Sequence, residues 1–203
     1  VAYAAGTAPQ ALAVLVACHL TWCPRCRNEV AVLDTLGAQL APPADELEVP
    51  SIEALWARLD EPEVPPMPTI PPAGPDEVLP APLRAAVGGG VASLPWRTLP
   101  LGVAHAELPL EGAHAFLADF PPGLQIPEHH HVGVERAMPL VGGFTTGGES
   151  FGPGDLSLGT EDQHAHQVRI DDDGRCLCLF VNDGDLVPNN PALRVVGWLL
   201  GLY

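Results

Sequence analysis

Apolar residues in the first forty positions recur at helical spacing. Leu12, Leu15, Val16 and His19 fall on one face, Thr7 is placed to cap, and Pro9 suits an early turn, which predicts a helix. Pro24 cannot continue that helix but fits the first turn of a second one, with Cys23 at its cap. Val30, Leu33, Leu36 and Leu40 then repeat at helical spacing. Residues 41–50 and 60–82 are dense in Pro and acidic residues and read as extended linkers. Between them, residues 51–59 form a short helical island capped by Ser51, with Ile52, Leu55, Trp56 and Leu59 on one side. A helix this short is marginal on its own, so it either binds a partner or packs on its own domain. From residue 82 onward, short apolar stretches at 96–99, 115–120 and 177–181 alternate with Gly/Pro turns, the pattern of an all-β sandwich or barrel. The expected fold is α+β in two domains: a small all-α domain over 1–60, a Pro-rich linker over 61–81 and an all-β domain over 82–203.

Charge narrows the set of partners. Lys and Arg together number 9, all of them Arg, against 25 Asp and Glu, for a net charge of −16. Such a chain is repelled by phosphate backbones, which argues against direct nucleic-acid binding, whereas a basic protein partner is attracted. The longest apolar run, residues 11–20, is shorter than the roughly eighteen residues a membrane span needs. The start also lacks the charged n-region of a secretory signal, so a cytoplasmic protein without membrane attachment is expected. Five cysteines in two clusters, an odd number, make a poor disulfide framework and suit a reducing compartment.

The first cluster, His19-Leu-Thr-Trp-Cys23-Pro-Arg-Cys26, sets an imidazole one helical turn before a Cys-x-x-Cys pair at a helix start. Two thiolates in such a turn grip one ion, the helix dipole favours their charge, and softness favours Zn²⁺. Together with the segment Tyr3-Ala-Ala-Gly6, this motif resembles the zinc anti-sigma domain, and more narrowly the ChrR-type branch, in which that domain is fused to a C-terminal cupin. The resemblance implies that His19, Cys23 and Cys26 are zinc ligands. It also implies a fourth ligand, a His on a helix upstream of the segment matching Tyr3–Gly6, a position that precedes Val1. Cys18 points to a different helix face from His19 and is no substitute.

The second cluster is Glu128-His129-His130-His131-Val-Gly-Val-Glu135. On a strand His129, His131 and Glu135 share a face if the turn keeps register, and a second pair, His164-Ala-His166, follows the Gly152-Pro-Gly154 turn. Three imidazoles and a carboxylate suit Zn, Fe, Mn or Ni without choosing among them. This set resembles the two cupin motifs over most of residues 82–203, and implies a jelly-roll barrel. In ChrR-type cupins the distal ligand lies ten residues before a Cys-x-Cys strand, which carries the role to His166, ten before Cys176, with His164 the second choice. Cys176 and Cys178 are expected to face one side of a strand, either as buried thiols or as an oxidation-sensing pair.

The resemblance implies an anti-sigma factor that embraces an extracytoplasmic-function sigma factor and releases it on oxidative stress, singlet oxygen included, sensed through the cupin. Ile52, Leu55 and Trp56 are the candidate partner-binding residues. The alternative is a cupin metal-dependent dioxygenase, since an open position on the barrel metal could bind substrate and O₂. Against it, no supporting acid or base is evident in the sequence, and the helical zinc motif would go unexplained.

Overall fold

The structure is a computed structural model that describes residues 1–41, 50–59, 77–160, 166–184 and 186–188. Among these residues four helices come first: α1 (Gln10–Trp22), α2 (Pro24–Leu40), α3 (Ile52–Leu59) and α4 (Ala81–Val87). Eleven strands follow: β1 (Arg97–Thr98), β2 (Ala104–Glu107), β3 (His114–Phe120), β4 (Gln125–His131), β5 (Glu135–Val141), β6 (Phe144–Thr146), β7 (Glu149–Phe151), β8 (Ser157–Gly159), β9 (His166–Ile170), β10 (Cys176–Asn182) and β11 (Leu186–Pro188). They form two antiparallel sheets, ordered β1-β2-β3-β10-β5-β8 and β11-β4-β9-β6-β7. Helices precede a two-sheet barrel, as the sequence predicts.

β10 shows how the layers stack. Alternate residues of a strand face opposite sides. Leu177, Leu179 and Val181 join a buried cluster with Ala11, Leu15 and Cys18 of α1 and Leu83 of α4. Cys176 and Cys178 face the other way, into the space between the sheets, with Ala137, Phe144, Val168 and Ile170. The two cysteines do share one side of the strand. Both faces of β10 are therefore dry, and each fully buried Leu contributes about 2 kcal/mol to folding.

The face α1 buries differs from the predicted one. Leu12, Leu15, Val16 and His19 were the expected stripe; Ala11, Leu15 and Cys18 are the residues that become fully buried. The helix lies across both α4 and β10, so its contact stripe is displaced and His19 sits at its margin. Its start differs too. Pro9, not Thr7, is the N-cap, and Thr7 Oγ1 donates instead to the Ala2 carbonyl at 3.4 Å. No side-chain cap is required, because the barrel provides one: Ala11 N–H donates to the Glu111 carbonyl at 3.0 Å, while Gln10 Oε1 accepts from Glu111 N–H at 2.8 Å.

The stretch expected to be linker also ends in structure. Leu79 is buried, and Glu77 accepts from the N–H groups of Leu79 at 2.7 Å and Val91 at 3.2 Å. Residues 82–87, expected to open the all-β domain, belong to α4, which Gly88 terminates with a left-handed φ of 71°. Residues 42–49 and 60–76, which hold most of the predicted linkers, lie outside the described residues.

Candidate metal centres

The corner between α1 and α2 gathers the first set of ligands. Cys23 N–H closes the last turn of α1 on the His19 carbonyl at 3.0 Å, and Pro24 starts α2 at once. Cys23 is the cap of α2, its Sγ accepting from Cys26 N–H at 3.5 Å. Arg27 reaches back to donate to the Leu20 carbonyl at 2.7 Å and locks the corner. One ligand atom each from His19, Cys23 and Cys26 then lies within 4.8 Å of the others. Tetrahedral zinc with thiolate and imidazole ligands sets donor separations of about 3.5–3.8 Å, so this donor set fits the ion with small side-chain movement. The N–H of Cys26 holds the Cys23 thiol below its ordinary range, while hydrogen bonding with Cys23 pushes the Cys26 thiol up. Cys18 stands apart. It is fully buried, and desolvation pushes its thiol up to about 12.

His19 is held from the barrel side. Its Nδ1 is 2.7 Å from the carbonyl oxygen of Gly154, in the turn between β7 and β8. Nothing in the local sequence signals this contact, which spans 135 residues.

Inside the barrel, the pairing of β4 with β9 sets His129 opposite His166, just past an irregularity in register that begins at Ile126. Their Nε2 atoms are 3.0 Å apart with rings edge to face. Two imidazoles on one divalent ion place their nitrogens about 2.9–3.4 Å apart, so the pair fits a shared metal. Each ring is steered through its other nitrogen: His129 Nδ1 donates to the Pro127 carbonyl at 2.9 Å, and His166 Nδ1 lies 3.2 Å from Thr146 Oγ1. Burial lowers the His166 pKa, favouring the neutral ring a metal needs. Glu135 opens β5, in register with Asn182 of β10 and Gly159 of β8. Burial raises its carboxyl to about 7, against the opposing effect of a hydrogen bond with Asn182. The sequence reading missed both Thr146 and Asn182, which touch the candidate ligands from other strands. His131 belongs to β4 and pairs through its backbone with Leu186, but its side chain lies outside the described residues, as does His164.

A third feature is apolar and exposed among the described residues. α2 has no buried residue along its 17 positions, and Val32, Leu36 and Leu40, spaced by four, are all exposed, Leu40 to 85%. Leu36 and Leu40 belong to the stripe expected from the sequence; Val32, outside that stripe, was missed. α3 has the predicted cap, Ser51 Oγ accepting from Ala54 N–H at 3.2 Å, and exposes Ile52, Leu55 and Trp56, the last to 64%. Among the described residues no helix is long and apolar enough to cross a membrane.

No protein-family model matches the chain. Anti-sigma-E factor ChrR of Cereibacter sphaeroides is 37% identical to it over 201 residues, covering 96% of this chain and 91% of that protein. The chain belongs to the ChrR family of anti-sigma factors. That relative is a regulator rather than an enzyme. The crystal structure of Rhodobacter sphaeroides SigE in complex with the anti-sigma ChrR aligns with a TM-score of 0.72 at 35% identity, covering 90% of this chain and 93% of that one. A protein with a cupin-like fold from Ralstonia eutropha aligns over 55% of this chain, at 22% identity and a TM-score of 0.42. The ChrR similarity covers 96% of the chain, the segments of both candidate centres included.

Proposed function

We propose that this protein is a cytoplasmic anti-sigma factor that sequesters an extracytoplasmic-function sigma factor and releases it under oxidative stress. Zinc, held by His19, Cys23 and Cys26, braces the α1–α2 corner. A divalent transition metal, held by His129, His131, Glu135 and His166, makes the barrel the sensor. Singlet oxygen is the first oxidant to test.

One observation carries this reading: an apolar stripe along α2 is left exposed by the described residues, in a chain whose relative is crystallised with SigE. An exposed stripe of this kind suits helix-in-groove recognition. Residues Ile52, Leu55 and Trp56 on α3 offer a second apolar face. A net charge of −16 suits the basic surfaces by which a sigma factor meets DNA. For the signal to release sigma, the oxidised barrel must alter the relative stability of bound and free states.

The deciding experiment is co-purification of the tagged full-length protein from its native host. A stoichiometric sigma factor, released when the lysate is treated with oxidant, is the expected result. A protein that elutes with no sigma factor, while a sigma factor encoded by the same host is present in the lysate, overturns the proposal.

A further inference from the structure

His19 is oriented by a backbone group of the barrel. A carbonyl oxygen only accepts, so the 2.7 Å contact with Gly154 puts the proton on Nδ1 and leaves Nε2 with the lone pair a metal requires. The residue bearing that carbonyl is itself fixed. Gly154 N–H donates to the Pro139 carbonyl of β5 at 2.9 Å. Asp155 N–H donates to the Gly152 carbonyl at 3.0 Å, and Gly152 N–H donates to Asp155 Oδ2 at 2.9 Å. Trp22, one turn beyond His19, closes over the same spot: a Cβ on Gly154 would lie 2.6–2.8 Å from its Cβ, Cγ and Cδ2 atoms. With φ at +86° as well, only glycine meets both demands.

We infer that Gly154 is a positioning residue of the helical metal centre, one backbone carbonyl of the barrel fixing the tautomer and orientation of His19. The inference rests on the proposed zinc role of His19, Cys23 and Cys26. Groups that orient a ligating imidazole through its other nitrogen commonly change metal affinity 10- to 100-fold when lost. Gly154 is bonded to β5, the strand that Glu135 opens, so one strand and two hydrogen bonds link Glu135 to His19.

The test uses full-length protein carrying ¹¹³Cd in place of zinc and ¹⁵N-labelled histidine. The expected spectrum shows thiolate-bound cadmium coupled to Nε2 of His19, with Nδ1 protonated. Thiolate-bound cadmium coupled to Nδ1 of His19 overturns this inference and spares the zinc assignment, whereas thiolate-bound cadmium with no coupling to His19 overturns both. Cadmium without thiolate character overturns both. In Gly154→Ala, cadmium binding at the helical centre should weaken, Kd rising 10- to 100-fold, and an unchanged Kd in a folded variant overturns the inference. Should Gly154→Ala fail to fold, the wild-type coupling pattern decides by itself.

Discussion

Cys176 and Cys178, one residue apart on β10, turn their thiols into the barrel, where burial pushes the first up to about 12 and the second well above its ordinary value. Relative to an ordinary thiol near 9, the thiolate fraction of Cys176 at pH 8 falls about a thousandfold. Iodoacetamide at pH 8 should therefore label Cys23 and Cys26 of metal-stripped protein within minutes, and leave Cys176 and Cys178 unlabelled until denaturant is added; mass spectrometry showing equal rates would refute this. Thiolate-based oxidant sensing by the pair is disfavoured on the same ground. Glu135 gives a pH signature. Its carboxyl is raised from 4.5 to about 7, so the folded state holds the proton more tightly than the unfolded chain. The contribution is complete below pH 4.5 and is lost as pH rises through about 7, a change of about 3 kcal/mol. In metal-stripped protein, the stability difference between wild type and Glu135→Gln should follow that curve in urea melts; a flat difference from pH 5 to 8 would rule it out. Residues such as His19, Cys23 and Cys26 were legible in the sequence because their ligand atoms lie within two helical turns. Gly154 was not, since its role depends on a carbonyl meeting a ring 135 residues away.

At the scale of elements, α1, α2 and α3 were legible, while α4 and the buried face of α1 were not. Periodicity marks an apolar side, but α1 settles on α4 and β10 together, which selects Ala11, Leu15 and Cys18. The cap was misread for a related reason: the acceptor for Ala11 N–H comes from Glu111, not from a neighbour in sequence. For α2, helical spacing picked out Val30, Leu33, Leu36 and Leu40, whereas the fold leaves Val32, Leu36 and Leu40 in solvent. Replacing Val32 and Leu36 together by Asp should cost little stability, within about 0.5 kcal/mol per site as is usual for exposed positions. The same double variant should weaken sigma-factor binding at least tenfold by fluorescence anisotropy. Unchanged affinity would take α2 out of the interface.

Across the whole molecule, the boundary between helical segment and barrel is less sharp than composition suggests. A change from helical to alternating patterning is visible near residue 82, yet α1 and β10 share one hydrophobic cluster. Pairwise packing of this kind leaves no trace in local periodicity. The barrel centre also draws on distant strands, with His129 on β4 meeting His166 on β9. Replacing both by Ala should preserve sigma binding and blunt release by oxidant, read as reporter transcription before and after exposure. Full induction in that variant would remove the barrel metal from signalling. The shared cluster also bears on how the chain is made. The inner side of α1 leaves the ribosome more than 150 residues before the strand it packs against. At 5–20 residues per second, Ala11, Leu15 and Cys18 wait roughly eight to thirty seconds for β10. During synthesis the first helix is therefore a sticky nascent segment, and whatever shields it in that interval, chaperone or sigma factor, meets it before the barrel does.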